Sequence, residues 1–426
     1  MSNMRVSLSE WKRAVQGNVW VFGLVSFLTD LSTEMIYPLL PAFFSGLVPT
    51  ATVAVYIGLM ESLAESTASL LKFFAGRMSD RLPRRKPLAL LGYAISSGVR
   101  PFTGLAASGW QVAAVRLCDR IGKGLRTAPR DALLSESVSP LVMGRAFSFH
   151  RMMDHAGAVT GPLVAAALLY LMLGSATLWQ RGQTVTDPGE MAALRWLFAL
   201  TLIPGIAATL LLWRGVRETP RTVKTGHADR SSFLARRPKL PPRFFLALSA
   251  ITLFTLGNSS DLFLIFYAQT RFGLGIGWLI NLWVLLHLSK IAFSLPGGWL
   301  ADRAGRRAAM VAGWSIYTGV YVAMPFASDI RSVCVLLTVY GAYYGMTEGA
   351  ERALVADFAA TRDRGAAYGW YHGAVGLATL PASLIFGVFW ARLGPKTAFF
   401  IGASLAAGAL LLLVLCIRAA VPHAES

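Results

Sequence analysis

The sequence predicts an all-α membrane protein: a bundle of twelve transmembrane helices in two pseudo-symmetric six-helix halves. Composition is the first reason. Of 426 residues, 55% are hydrophobic and 15% charged, with a mean hydropathy of +0.53; soluble domains carry about 25% charged residues. The second is a succession of twelve apolar segments of roughly the 20 residues that a bilayer requires. The third is a repeat. Gly76–Arg85 reads GRMSDRLPRR and Gly298–Arg307 reads GWLADRAGRR, with Asp80 and Asp302 standing 222 positions apart. Each string lies between two apolar segments, so one polar hinge recurs half a chain later.

Residues 1–17 are polar and contain no cleavable signal peptide, so the first segment is expected to direct insertion. Segment 1 (18–47) carries Asp30 and Glu34, followed by Tyr37, Pro38 and Pro41. Segment 2 (52–76) carries Glu61, Glu65 and Lys72; after the hinge, segment 3 (87–107) carries Arg100. Segment 4 (110–130) has Arg116, Asp119, Arg120 and Lys123, with Arg126 and Arg130 beyond them. Segment 5 (146–172) opens with His150, Arg151, Asp154 and His155. A polar loop (174–191) and segment 6 (193–213) complete the first half, 18–213. The stretch 214–243 holds nine basic residues and four prolines and reads as a cytoplasmic linker. The second half, 244–417, comprises segments 244–270, 277–299, 308–326, 332–357, 366–390 and 396–417, ahead of a tail at 418–426. The halves align beyond the hinges. Arg352 falls opposite Arg130, again 222 positions on, and Phe254–Asp261 matches Phe27–Glu34, which sets Asp261 against Glu34.

A formal charge of +18 would suit a nucleic-acid binder, but its distribution argues against one. Basic residues gather in alternate loops, which places both termini in the cytoplasm by the positive-inside rule. Arg392 and Lys396 break the alternation without reversing it. The excess of Arg over Lys fits a GC-rich bacterial genome, and so an inner membrane. The three cysteines are isolated in apolar segments and suggest no metal site. No G-x-x-x-x-G-K-[ST] string is present, which argues against ATP-driven pumping.

Charges inside the bilayer select the candidate site, because each costs about 2.5–3.5 kcal/mol at a helix centre. Asp30 with Glu34, and Glu61 with Glu65, are four apart and share a helical face. Paired carboxyls there repel when both are ionised, so each pair is expected to keep a proton near neutrality, as proton coupling requires. The alternative for Glu61 and Glu65 is a structural clamp with Arg100 or a base of segment 4. Arg116, Arg120 and Lys123 form a stripe at i, i+4, i+7, with Asp119 at its edge, able to bridge Arg116 or Lys123. The stripe either attracts a carboxylate or phosphate or is spent on Glu61 and Glu65. Arg100 and Lys123 add positive charge and tilt the balance toward a solute with a negative group. The second half has fewer such residues: Asp261, His287, Lys290, Glu348, Glu351, Arg352 and His372. His155 and the aromatics Tyr37, Trp278, Trp283, Tyr340, Tyr343, Tyr344, Trp370 and Tyr371 are candidates to line a cavity.

The pattern G-x-x-x-D-R-x-G-R-R resembles the signature loop of the major facilitator superfamily of secondary transporters. The second copy matches throughout; in the first, Pro83 replaces the usual Gly and should stiffen the turn. The resemblance implies that Gly76, Asp80, Arg81, Arg84 and Arg85, with Gly298, Asp302, Arg303, Arg306 and Arg307, work a cytoplasmic gate. Asp30 with Pro38 and Pro41 resembles the first helix of the drug:proton antiporters. Gly157, Gly161 and Pro162, followed by Ala165 and Ala166, resemble their G-x-x-x-G-P-x-x-G-G motif, which in that family accompanies export.

The expected function is therefore secondary transport rather than enzyme catalysis: proton-coupled export of a small, drug-like solute, with an anionic group favoured. The expected transporter is a monomer in the lipid bilayer, driven by the proton gradient, with no cofactor, metal or nucleic-acid partner. Asp30, Glu34, Glu61, Glu65 and Asp261 are the coupling candidates. Arg100, Arg116, Arg120, Tyr37, His155, Tyr344 and Trp370 are the solute-binding candidates. Uptake of an organic anion is the nearer rival; a non-transporting sensor or scaffold is the distant one.

Overall fold

The computed structural model describes residues 16–174, 188–218, 238–274 and 276–416. The expectations for most of the N-terminal segment, the 174–191 loop, most of the linker and the tail lie outside the described residues.

Twelve helical rods follow one another among the described residues. In the first half, α1 runs Asn18–Glu34 and continues as Leu40–Ser45 after a 3-10 turn containing Pro38. α2 spans Thr50–Arg81, α3 Lys86–Val99, α4 Gly109–Glu136 and α5 Met143–Leu173. α6 is Pro188–Leu200 with Leu202–Gly215. In the second half, α7 is Pro242–Gly257 with Leu262–Phe272, and α8 spans Ile276–Arg303. α9 spans Arg306–Ala323, α10 Ile330–Asp357, α11 Arg364–Leu393 and α12 Pro395–Cys416. Among the described residues, seven helical stretches, Pro140–Leu173 and Pro395–Leu415 among them, are long and apolar enough to cross a membrane. Others fall short because they break, as α7 does at Asn258, or carry buried polar groups, as α4 and α10 do.

The repeat seen in the sequence is repeated in the packing. α1 packs on α5 and α6 as α7 packs on α11 and α12. α4 packs on α2 and α3 as α10 packs on α8 and α9. Contacts between the halves are paired too: α2 against α11 mirrors α8 against α5. Glycines allow the closest approaches. Gly92 and Gly122 bring α3 and α4 together, where a Cβ on either would come within 2.6 Å of the other's carbonyl.

Each hinge differs from a simple loop in one respect. α2 and α8 run five and four residues past the predicted segment ends, so Asp80-Arg81 and Asp302-Arg303 form their last turns. A carboxylate is unfavourable at a helix C-terminus and needs compensation from elsewhere.

Candidate functional site: locks and cavity between the halves

The compensation is a second helix. Asp80 accepts hydrogen bonds from the amides of Gly365 (2.9 Å) and Ala366 (2.6 Å), which begin α11. Asp302 accepts them from the amides of Gly144 (2.7 Å) and Arg145 (3.0 Å), which begin α5. Each carboxylate thus satisfies orphan N–H groups at the positive end of a helix. Since α2 and α5 belong to one half and α8 and α11 to the other, each lock crosses between halves. Gly76 and Gly298 permit the crossings. A Cβ on Gly298 would lie 2.6 Å from Ser148 Oγ, and one on Gly76 would lie 2.9 Å from Gly369 Cα.

Each lock carboxylate also meets an arginine that follows it in the chain. Arg85 pairs with Asp80 at 2.7 Å and Arg306 with Asp302 at 3.2 Å. Arg85 is fully buried and also reaches Glu136 (3.1 Å) and the Thr361 carbonyl (3.0 Å). Arg303 is exposed over the Trp299 ring, Arg84 is exposed, Arg81 is half-buried, and Arg307 donates to the Val414 carbonyl. The partner stands five residues after Asp80 but four after Asp302. The turns explain the slip: Gly305 has φ +94°, open to glycine, whereas the ring of Pro83 holds φ near about −65°.

Most intramembrane charges of the first half engage one another. Arg100 Nε meets Asp119 at 2.9 Å and its Nη1 donates to the Thr29 carbonyl at 3.1 Å. Arg116 lies 3.6 Å from Asp119 and stacks over Tyr37 at 4.9 Å, while Arg120 meets Glu65 at 3.3 Å. Asp154 takes Arg151 at 2.6 Å and the Ser26 hydroxyl. The Glu61 side chain lies outside the described residues. Asp30 makes no hydrogen bond or ion pair with a described residue; the charges acting on it are Asp154, Lys123, Glu34 and Arg126. Gly157 and Gly161 let α5 press on α1 beside the two candidate carboxyls. A Cβ on Gly157 would meet Asp30 Cβ at 3.0 Å, and one on Gly161 would meet Glu34 Cβ at 2.7 Å.

A cavity of about 980 Å³ lies between the halves, with Pro162 on its wall. Among the described residues, α1 and α5 line one side and α7, α8, α10 and α11 the other. It ends at Arg352 and Tyr371, short of the locks, so the halves are closed on the face that bears the motifs. Among the described residues its charged lining is Glu34, Asp261, Glu348, Glu351 and Arg352. Asp261 accepts from Lys290 Nζ (2.7 Å) and from the hydroxyls of Tyr340 (3.0 Å) and Tyr344 (2.9 Å).

The expected anion site is thereby corrected. Arg100, Arg116 and Arg120 are not among the residues that line the cavity, and each meets a carboxylate elsewhere, Arg100 and Arg116 sharing Asp119 and Arg120 taking Glu65. Trp370 is also off the wall, edge-on to Phe73 at 4.8 Å and Phe245 at 5.7 Å. Tyr37 and Tyr344 do line it, and His155 stands behind Glu348. Glu348 and Glu351 were counted among the intramembrane charges without being singled out. Their i, i+3 spacing was the available signal, the same kind that picked out Asp30 with Glu34.

A sequence profile of the Major Facilitator Superfamily matches residues 22–289 and 275–426. The chain belongs to the major facilitator superfamily. It is 33% identical over 414 residues to an uncharacterised MFS-type transporter of Methanocaldococcus jannaschii, covering 95% of this chain and 97% of that one. A shorter match, 30% over 144 residues, joins 34% of this chain to 35% of the multidrug resistance protein MdtH of Cronobacter sakazakii. Among solved structures, the human organic anion transporter MFSD10 superposes with a TM-score of 0.74 at 17% identity, covering 94% of this chain and 99% of that one. The transporter FucP in its outward conformation superposes with a TM-score of 0.75 at 13% identity, covering 95% and 100%. This major facilitator protein is accordingly a membrane transporter of small molecules, not an enzyme.

Two more bridges join the halves of this facilitator, and they too come as a pair. His372 of α11 meets Asp131 of α4 at 2.7 Å, and His155 of α5 meets Glu348 of α10 at 3.0 Å. α4 and α10 occupy equivalent places in the repeat, as do α5 and α11, so one kind of bridge is built twice. Asp131 is fully buried and also takes Arg130 at 2.7 Å and Arg352 at 3.8 Å.

Proposed function

We propose that this protein is a proton-coupled antiporter that exports a small, drug-like organic solute, acting as a monomer in a bacterial inner membrane. Both termini and the locked face are then cytoplasmic, in keeping with the alternation of basic loops, and the cavity belongs to the state closed toward the cytoplasm. One observation carries the reading. Asp30 and Glu34 lie on α1 where Gly157 and Gly161 of the antiporter-like motif bring α5 against them, with Glu34 on the cavity wall and Asp30 one turn deeper. A carboxyl placed there exchanges a proton beside the path of the solute, near the middle of the membrane where repeats put transport sites. Proton entry and solute exit then alternate as the halves rock. The partial match to a multidrug resistance protein supports export as the direction.

Asp30→Asn keeps the size and hydrogen bonding of the side chain but removes its proton. In everted vesicles with an acid interior, read by acridine orange, an exported solute should dissipate the pH gradient through the wild type. The Asp30→Asn vesicles should lose that response at an unchanged level of inserted protein. Gradient-driven exchange equal to wild type would remove Asp30 from the coupling role.

A further inference from the structure

We infer that a groove at the end of the second half opposite the locks holds an anionic glycerophospholipid, with its phosphate at Arg331 and Lys396 and an acyl chain beneath. The groove, of about 630 Å³, lies between the first turns of α10 and the 3-10 turn Met324–Phe326 that follows α9. Its apolar lining includes Phe326, Val335 and Leu336; its polar lining is Asp329, Arg331 and Ser332. The two kinds of lining fall at different depths. The membrane-crossing stretch Arg306–Phe326 ends at Phe326, and the polar residues follow it in the chain. Val335 stands four residues, about one helical turn, farther along α10 than Arg331, toward the middle of the membrane. Phe326 and Val335 are both exposed, so an apolar surface faces the bilayer directly below a charged one.

The charge of that surface selects the headgroup. Lys396 begins the membrane-crossing stretch Pro395–Leu415 and leans over the same boundary. Its Nζ lies 4.9 Å from the Phe326 centroid and 5.9 Å from that of Phe400. A long basic side chain laid on apolar rings in this way presents its charge at headgroup depth. The acidic group that faces Arg331 is Asp329, which is already engaged: it accepts from the amide and the hydroxyl of Ser332, at 2.7 Å each. Two bases against one acid leave a positive charge that a phosphate neutralises. Lys396 is also one of the two bases that break the alternation of basic loops, so its charge works against the topology signal and calls for a use of its own. A dissolved anion would gain nothing from Phe326 and Val335, whereas a lipid carries a phosphate and an apolar chain in one molecule.

Dioleoylphosphatidylglycerol and dioleoylphosphatidylcholine test this, because they share both chains and the phosphodiester and differ by the choline cation. Each is added in equal amount to the purified, delipidated full chain in detergent, and the first lipid adduct is read by native mass spectrometry. Wild type should retain phosphatidylglycerol about tenfold better than phosphatidylcholine, the scale set by two basic side chains near an anionic headgroup. Arg331→Gln with Lys396→Gln should bring phosphatidylglycerol down toward the phosphatidylcholine level. Val335→Trp, which fills the groove and keeps both charges, should lower it severalfold. All three positions are exposed, so the changes leave the packed interior alone. Equal retention of the two lipids by wild type overturns the inference, and so does phosphatidylglycerol retention that survives either change. A dimer that Val335→Trp dissociates would give the groove to a second copy of the chain and overturn it as well. The comparison of lipids on wild type stands even where a variant fails to fold.

Discussion

Asp119 takes two arginines, Arg100 at 2.9 Å and Arg116 at 3.6 Å, and Glu65 takes Arg120 at 3.3 Å. Removing one partner of a buried pair strands the other, at a cost of about 3–5 kcal/mol where the pair is fully enclosed. Arg100→Gln should therefore lower the unfolding temperature strongly. Arg120→Gln should lower it less, because the Glu65 side chain is 37% exposed. Adding Glu65→Gln to Arg120→Gln should restore most of the loss in a thermal unfolding assay by size-exclusion fluorescence. A double variant no more stable than Arg120→Gln alone would show that the two charges are not clamped. These pairings were only half legible in the sequence. Helical periodicity relates residues along one helix, and so found the Arg116–Asp119 contact. The Arg100–Asp119 bond depends on how α3 and α4 are set against each other, which no spacing records. Counting acids and bases leaves open whether the stripe on α4 holds an anion or is spent on carboxylates; the pairings found are of the second kind.

The ends of α2 and α8 each hold the start of a helix some distance away in the chain: Asp80 that of α11, Asp302 that of α5. An Asn in either place keeps one acceptor oxygen but turns an N–H₂ toward the second amide, and it removes the charge that the helix dipole favours. Asp80→Asn and Asp302→Asn should each loosen the closed face, and the double variant should do so most. The measurement is labelling of Ala158→Cys, a wall position, by a membrane-impermeant maleimide added on the locked side. Cys118, Cys334 and Cys416 are first replaced by Ser. Faster labelling is expected in each single variant and the fastest in the double; unchanged rates in all three would discount the locks as a gate. The repeated string located both aspartates in the sequence. It could not locate their partners, because an amide at a helix start looks like any other amide, and it did not say which of the arginines of each string would pair with the aspartate. Pro83 against Gly305 was the visible hint that the two turns differ.

Across the whole molecule, the architecture was the most legible part. Apolar segment length and a hinge repeated 222 positions apart require two similar bundles, and the packing of α1, α5 and α6 against that of α7, α11 and α12 agrees. Helix ends and breaks were less so. α2 and α8 overrun the predicted segments because their terminal carboxylates find partners across the interface, and α7 breaks at Asn258 where its polar groups face the tyrosines of α10. The reciprocal arrangement of the locks has a consequence for how the chain coheres. Each half supplies the clasp for the other's helix and receives one in return, so association of the halves is written into their surfaces and not into the peptide that joins them. A polypeptide severed between Gly226 and His227 and expressed as two pieces should still assemble, with one tagged piece retaining the other through purification. Asp80→Asn with Asp302→Asn should reduce the recovered partner severalfold, whereas pieces that never copurify would mean that the join does more than connect. Where the pieces do assemble, covalent continuity serves mainly to keep the two bundles in equal number.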